Sequence, residues 1–209
     1  MFTTDLFKEI KDLSNYPETI PNVLDILSCL IKWNPEPVVK DSSQFIQLMK
    51  KIASKTKHFQ FKLIVNILSS INKFYPTMFN GNLGDLFHIV KYVMFDKSFI
   101  NYFPTFTRQI PSFIIENFFP FIQLIISALK ENGSNAFAAL KLVPLIHNIP
   151  QDIKEILYEL ASKFLSSNNG DMRVIASRTI LFLSSNQRSI AQIKKILGIT
   201  LSEPDAKVR

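Results

Sequence analysis

Between residues 42 and 84 the chain carries six lysines and no acid: Lys50, Lys51, Lys55, Lys57, Lys62 and Lys73. The 41 residues before them carry four lysines against seven acids, a net charge of −3, in a chain whose formal net charge is +7. The stretch "MKKIASKTKHFQFK" sets Lys50, Lys51, Lys55 and Lys57 around a turn between two helices, with Lys62 one turn further. Ammonium groups gathered in this way attract phosphates or carboxylates. The candidate partners are therefore an acidic protein segment, nucleic acid or anionic lipid. A solvated edge that keeps the chain soluble is the plainer reading of the same residues. Phe59 and Phe61 do not add a stacking platform for bases, because Phe61 falls on an apolar stripe.

The other reactive side chains are scattered. His58, His88 and His147 show no metal-ligand spacing such as HExxH. "GNLG" at 81–84 is neither a P-loop nor a dinucleotide fingerprint, and no pair of carboxylates suggests acid–base work. Cys29, the one cysteine, stands in the apolar run "ILSCLIKW" and is expected to be a buried small hydrophobe. Trp33, beside "NPEP", is expected to pack. No catalytic, cofactor or metal site is expected, and no enzyme. A lone thiol forms no internal disulfide, which points to a reducing compartment, cytoplasmic or nuclear. "MFTTDLFKEIKD" lacks the apolar core of a secretory signal. "PSFIIENFFPFIQLIISAL" is interrupted by Glu116, Asn117, Pro120 and Gln123, so it reads as core helix and no transmembrane segment is expected.

The elements that carry these residues are helices. Nearly half the chain is hydrophobic (47%), with only 5 glycines and 11 prolines, most of them between apolar runs. The clearest helix is 58–74, where Phe61, Ile64, Ile67, Leu68, Ile71 and Phe74 form one stripe and Lys62, Asn66, Ser69, Ser70 and Lys73 the opposite one. Shorter patterns of the same period predict helices at 3–13, from Pro21 to the break at "WNPEPVV", and from a cap at 41–43 through Ala53. Others follow at 83–95, 135–147, 151–166, 171–184 and 189–197. Pro104, Pro111 and Pro120 divide 97–131 into two or three short or bent helices, and Pro144 kinks the one that contains it. The phenylalanines from Phe99 to Phe121 are expected in the core, an exposed groove for a partner's apolar anchors being the alternative. Roughly ten helices taken in pairs give a unit of about 35–42 residues, the period of stacked helical hairpins.

One stretch carries a more specific pattern. In "LSSNNGDMRVIASRTILFLSS", Asn168 or Asn169 stands in a polar turn, Met172-Arg173 opens a helix, and the small Ala176 follows three positions on. The tail "SEPDAKVR" restates it with Asp205 and Val208-Arg209, Arg209 lying 36 residues after Arg173. This pattern resembles a HEAT repeat over residues 150–209; in 1–149 the helical rhythm fits armadillo-type hairpins equally well. The resemblance implies an all-α superhelix, a solenoid of about five helical hairpins over 1–209. It implies structural roles for Asn169, Arg173, Ala176, Asp205 and Arg209, the Asp and Arg positions often bonding between adjacent repeats. It implies a scaffold or adaptor that binds other proteins, without a cofactor. Residues 199–209 read as a tail or as the start of a further repeat, so that the chain would be the N-terminal part of a longer array.

Overall fold

The structure, a computed structural model, describes residues 3–57 and 60–184. Those residues form eleven α-helices joined by turns and short 3-10 segments, with no strand among them. The fold is all-α. The helices are α1 (Thr3–Leu13), α2 (Ile20–Trp33), α3 (Glu36–Lys40), α4 (Ser42–Lys55), α5 (Phe61–Phe74) and α6 (Leu83–Val93). Then come α7 (Lys97–Gln109), α8 (Pro111–Glu131), α9 (Ala136–Leu142), α10 (Gln151–Ser162) and α11 (Gly170–Ser184). The predicted helix at 189–197, with Asp205 and Arg209, lies outside the described residues.

Local chemistry sets the ends. Asp41 caps α4 by accepting from the Gln44 N–H at 3.2 Å, and Asp96 caps α7 by accepting from the Ser98 N–H at 2.8 Å. Pro21 sits in the first turn of α2, where its missing N–H costs nothing. Asn132, just past α8, turns the chain at a φ of 51°, the left-handed conformation that asparagine tolerates better than most residues. The stretch expected to be a plain break, "NPEPVV", contains the five-residue α3. Pro144 does not kink α9 but converts its end into a 3-10 turn at Val143–Leu145.

The chain divides into two compact units, Met1–Phe121 and Ile122–Arg209. In the first, α2 packs on α5 and α5 on α7, while α4 packs on α6. Lys51 and Lys55 of α4 reach the C-terminal end of α1. Its core combines the buried stripe of α5 (Phe61, Ile64, Ile67, Leu68, Ile71) with a phenylalanine cluster from α7 and α8. Phe103 stacks on Phe121 at 5.4 Å, and Phe106 meets Phe113 edge-on at 4.9 Å. Phe99, Phe103, Phe106, Phe113 and Phe121 are all buried, as the sequence led us to expect. In the second unit α11 packs against both α9 and α10, and the Thr179 hydroxyl donates to the Leu140 carbonyl at 2.8 Å.

Helix α8 spans 21 residues but is bent within them, as the prolines led us to expect. Pro120 removes an N–H and crowds the preceding turn, and the backbone leaves helical values at Asn117 (φ −110°, ψ 16°). The buried Asn117 amide donates to the Phe113 carbonyl at 3.0 Å and to the Leu83 carbonyl of α6 at 3.3 Å. By length and composition α8 is able to cross a membrane, with a mean hydropathy of 1.6, although 39% of its most apolar window is buried.

Among the described residues, several side-chain hydrogen bonds between helices share one property. Lys55 to Ser14 spans 41 residues, Lys51 to Asn15 spans 36, and Gln47 to Asp85 spans 38. Asn117 to Leu83 spans 34, Thr179 to Leu140 spans 39, and the shortest, Asn72 to Tyr102, spans 30. Each ties a helix to a partner 30 to 41 residues away in sequence.

Candidate binding surfaces

The lysine-rich stretch does not form one free edge. Lys50, Lys51 and Lys55 lie on α4, Lys57 in the turn after it, and Lys62 in the first turn of α5. Lys50 forms an ion pair with Asp85 of α6, Nζ to Oδ1 at 2.6 Å, and Gln47 donates to the other carboxylate oxygen at 2.7 Å. Lys51 Nζ donates to Asn15 Oδ1 at 2.5 Å, and Lys55 Nζ approaches the Ser14 and Asn15 carbonyls at 3.5 and 3.4 Å. A helix C-terminus presents unpaired carbonyls and the negative end of the helix dipole, so these two ammonium groups cap α1. Lys57 and Lys62 are exposed.

Other cations join α4 across the fold. A concavity of about 310 Å³ between α4 and α6 is lined by Lys50, Lys51, His88, Lys91 and Tyr92, with Gln47 and Ser54 at its side. A second, of about 440 Å³ between α1 and α4, is lined by Lys11, Ser43, Gln44, Gln47, Leu48 and Lys51. Gln47 and Lys51 belong to both. The positive charge is felt within the site. Partial burial and then Lys91 and Lys50 hold the His88 imidazole below its ordinary pKa, against the pull of Asp85. Partial burial, Lys55 and Lys11 likewise lower Lys51, with Asp12 opposing. Lys11, His88 and Lys91 are site residues the linear reading passed over. A signal existed: lysines stand at 11, 51 and 91, in steps of 40, one on each of α1, α4 and α6.

Two residues expected inside lie outside. Trp33, expected to pack, is 86% exposed, and Cys29, expected to be buried, is exposed. Each sits two positions from a buried residue, Ile31 for Trp33 and Leu27 for Cys29, and so about 200° around the helix from it. Phe74, placed on the α5 stripe, ends its helix and is 54% exposed; Leu13, ending α1, is exposed too. Trp33 and Phe74 close α2 and α5, two helices packed side by side. Pro35 and Tyr75, just beyond those helix ends, line one concavity of about 430 Å³ together with Glu36, Val39 and Lys40. The C-termini of both helices therefore share an edge. On α8, Ile115 and Phe119, one turn apart, are 77% and 69% exposed.

The repeat-like motif assembles locally. Asn169 Oδ1 accepts from the Met172 N–H at 3.2 Å, a cap for α11. Arg173 Nη1 donates to the Ser167 carbonyl at 2.7 Å, closing the turn that precedes its own helix. Ala176 is fully buried. Among the described residues no three of His, Cys, Asp or Glu come together as metal ligands would. No protein-family model matches the chain, and no curated protein or solved structure does.

Proposed function

We propose that the chain is a non-enzymatic protein-binding module, a scaffold or adaptor built from stacked helical hairpins of the HEAT or armadillo type. The stacking is supported by the reach of the inter-helix hydrogen bonds, 30 to 41 residues, one unit of such an array. The observation that carries the binding reading is the apolar edge at the ends of α2 and α5. A tryptophan 86% exposed and a phenylalanine 54% exposed flank a concavity lined by Pro35, Val39 and Tyr75. Large aromatics left in water at one edge favour a protein partner, in which tryptophan and tyrosine contribute most. The reading carries with it an intracellular setting, cytoplasmic or nuclear, in which the exposed Cys29 thiol stays reduced.

The test is photo-crosslinking in cells from position 33, with position 62 as a control on the polar face. A discrete protein adduct from 33 that is absent from 62 is expected, and Phe74→Ala should weaken it. Equal labelling from both positions, or no adduct from 33, would remove the reading.

A second reading keeps the chain as a polyanion-binding module for nucleic acid or an acidic membrane surface. The exposure of Lys57 and Lys62 favours it. Lys50, Lys51 and Lys55 already hold α6 and α1, so the informative substitution is the pair Lys57→Glu and Lys62→Glu. Binding that falls steeply with salt and is lost in that double variant supports it; binding indifferent to both speaks against it.

A further inference from the structure

We propose that the face formed by α1, α4 and α6 binds an acidic protein segment in extended form, laid across the three helices. This rests on the reading of the chain as a protein-binding module and adds a surface distinct from the aromatic edge. Three features carry it. The lysines at 11, 51 and 91 put one cation on each helix, with the Lys50–Asp85 ion pair and the neutral His88 ring beside them. The two concavities meet at Gln47 and Lys51, so the surface is continuous across α4. At both His88 and Lys51 burial acts most, and the neighbouring lysines then act more strongly than Asp85 or Asp12, so the carboxylates leave the positive charge incompletely balanced.

The dimensions suit a short extended strand. α4 and α6 pack as neighbours, a step of about 8–10 Å that about three residues of extended chain cover. Lys11 lines the concavity on the other side of α4, so a few more residues bring the strand to α1.

The polar side chains favour a peptide over a nucleic acid. Gln47 uses one of its two amide N–H groups on Asp85, and its Oε1 can accept from a donor. A peptide backbone carries N–H donors, whereas a phosphodiester backbone carries none. Asp85 and Asp12 lie among the lysines, and a strand with neutral positions passes them more easily than one charged at every unit. Tyr92 and the His88 ring are the aromatic groups lining the two concavities, and both lie in the one between α4 and α6, which leaves the α1 side with nothing for bases to stack on.

The test uses the full 209-residue chain and a labelled peptide of about eight glutamates. A single-stranded oligothymidylate of equal charge and phosphatidylserine vesicles are run beside it. Fluorescence anisotropy is expected to show peptide binding that weakens with salt and is weakened about tenfold in Lys91→Glu. Lys62→Glu, on α5 and outside both concavities, should bind like the parent. The oligonucleotide and the vesicles should bind more weakly than the peptide. No peptide binding, equal loss in the two variants, no loss in Lys91→Glu, or tighter binding of the oligonucleotide or vesicles would each overturn the proposal. If Lys91→Glu loses helicity by circular dichroism, the His88 ring resonances of the unmodified chain decide instead. They should shift when the peptide is added, and unmoved resonances would overturn the idea. Crosslinking at position 33 is independent of this face, so a failure here leaves the aromatic edge standing and is distinguishable from a failure there.

Discussion

His88 is a gauge of the charge around it. Lys50 and Lys51 face it from α4, and Asp85, Lys91 and Tyr92 share its own helix. Burial and the lysines lower its pKa from 6.5, so the folded chain resists a proton that the unfolded chain accepts. Its contribution to stability is present above pH 6.5 and is lost as pH falls through the lower folded value. Lys91→Ala should raise the His88 pKa toward 6.5 and Asp85→Asn should lower it further, both read from the ring shifts in an NMR titration. Tyr102 shows the opposite sign. Burial raises its phenol to about 12, partly offset by hydrogen bonds with Asn72 and Ser69. Its contribution is whole below pH 10 and lost as pH rises from 10 toward 12. Tyr102→Phe should remove that alkaline loss and cost about 1–2 kcal/mol at neutral pH, because the Asn72 amide loses its 2.9 Å partner. Denaturant unfolding at neutral and alkaline pH checks both. At this scale the sequence was only partly legible. A linear window finds Lys50 and Lys51 because they are adjacent, but it cannot join them to Lys91, which packing brings near from 40 residues away.

Among the elements, α8 shows how a proline break becomes a usable bend. The sequence marked Pro120 as an interruption, and the physical reason was right. What it did not show was that Asn117 would turn inward and tie the bend to α6. Asn117→Ala should cost about 1–3 kcal/mol by leaving the bent turn without its two side-chain hydrogen bonds, measured as a lowered thermal midpoint. The start of α11 was read more fully. Asn169 caps it and Arg173 closes its turn, since such bonds are made within a few residues and local sequence holds all the partners. Trp33 and Phe74 were misplaced for a related reason. A periodic stripe tells which face of a helix is apolar, but not where along the axis the covering neighbours end.

For the whole molecule, the helical rhythm was the most readable feature, because each amphipathic stripe is a local pattern repeated. The division at Phe121 and Ile122 was not visible, as it falls inside the apolar run of α8. The inter-helix hydrogen bonds described above, which span 30 to 41 residues, predict that damage stays near its source. Phe103→Ala, opening the ring cluster at a cost of about 3–5 kcal/mol, should reduce hydrogen-exchange protection in α5 to α8 and leave amides in α10 and α11 close to their original rates. The same short reach bears on how the chain is made. Closing a loop of about 40 residues carries a modest entropic cost, and low contact order goes with rapid folding. A helix leaving the ribosome finds the partner for its hydrogen bonds 30 to 41 residues behind it, already synthesised, so folding can keep pace with translation.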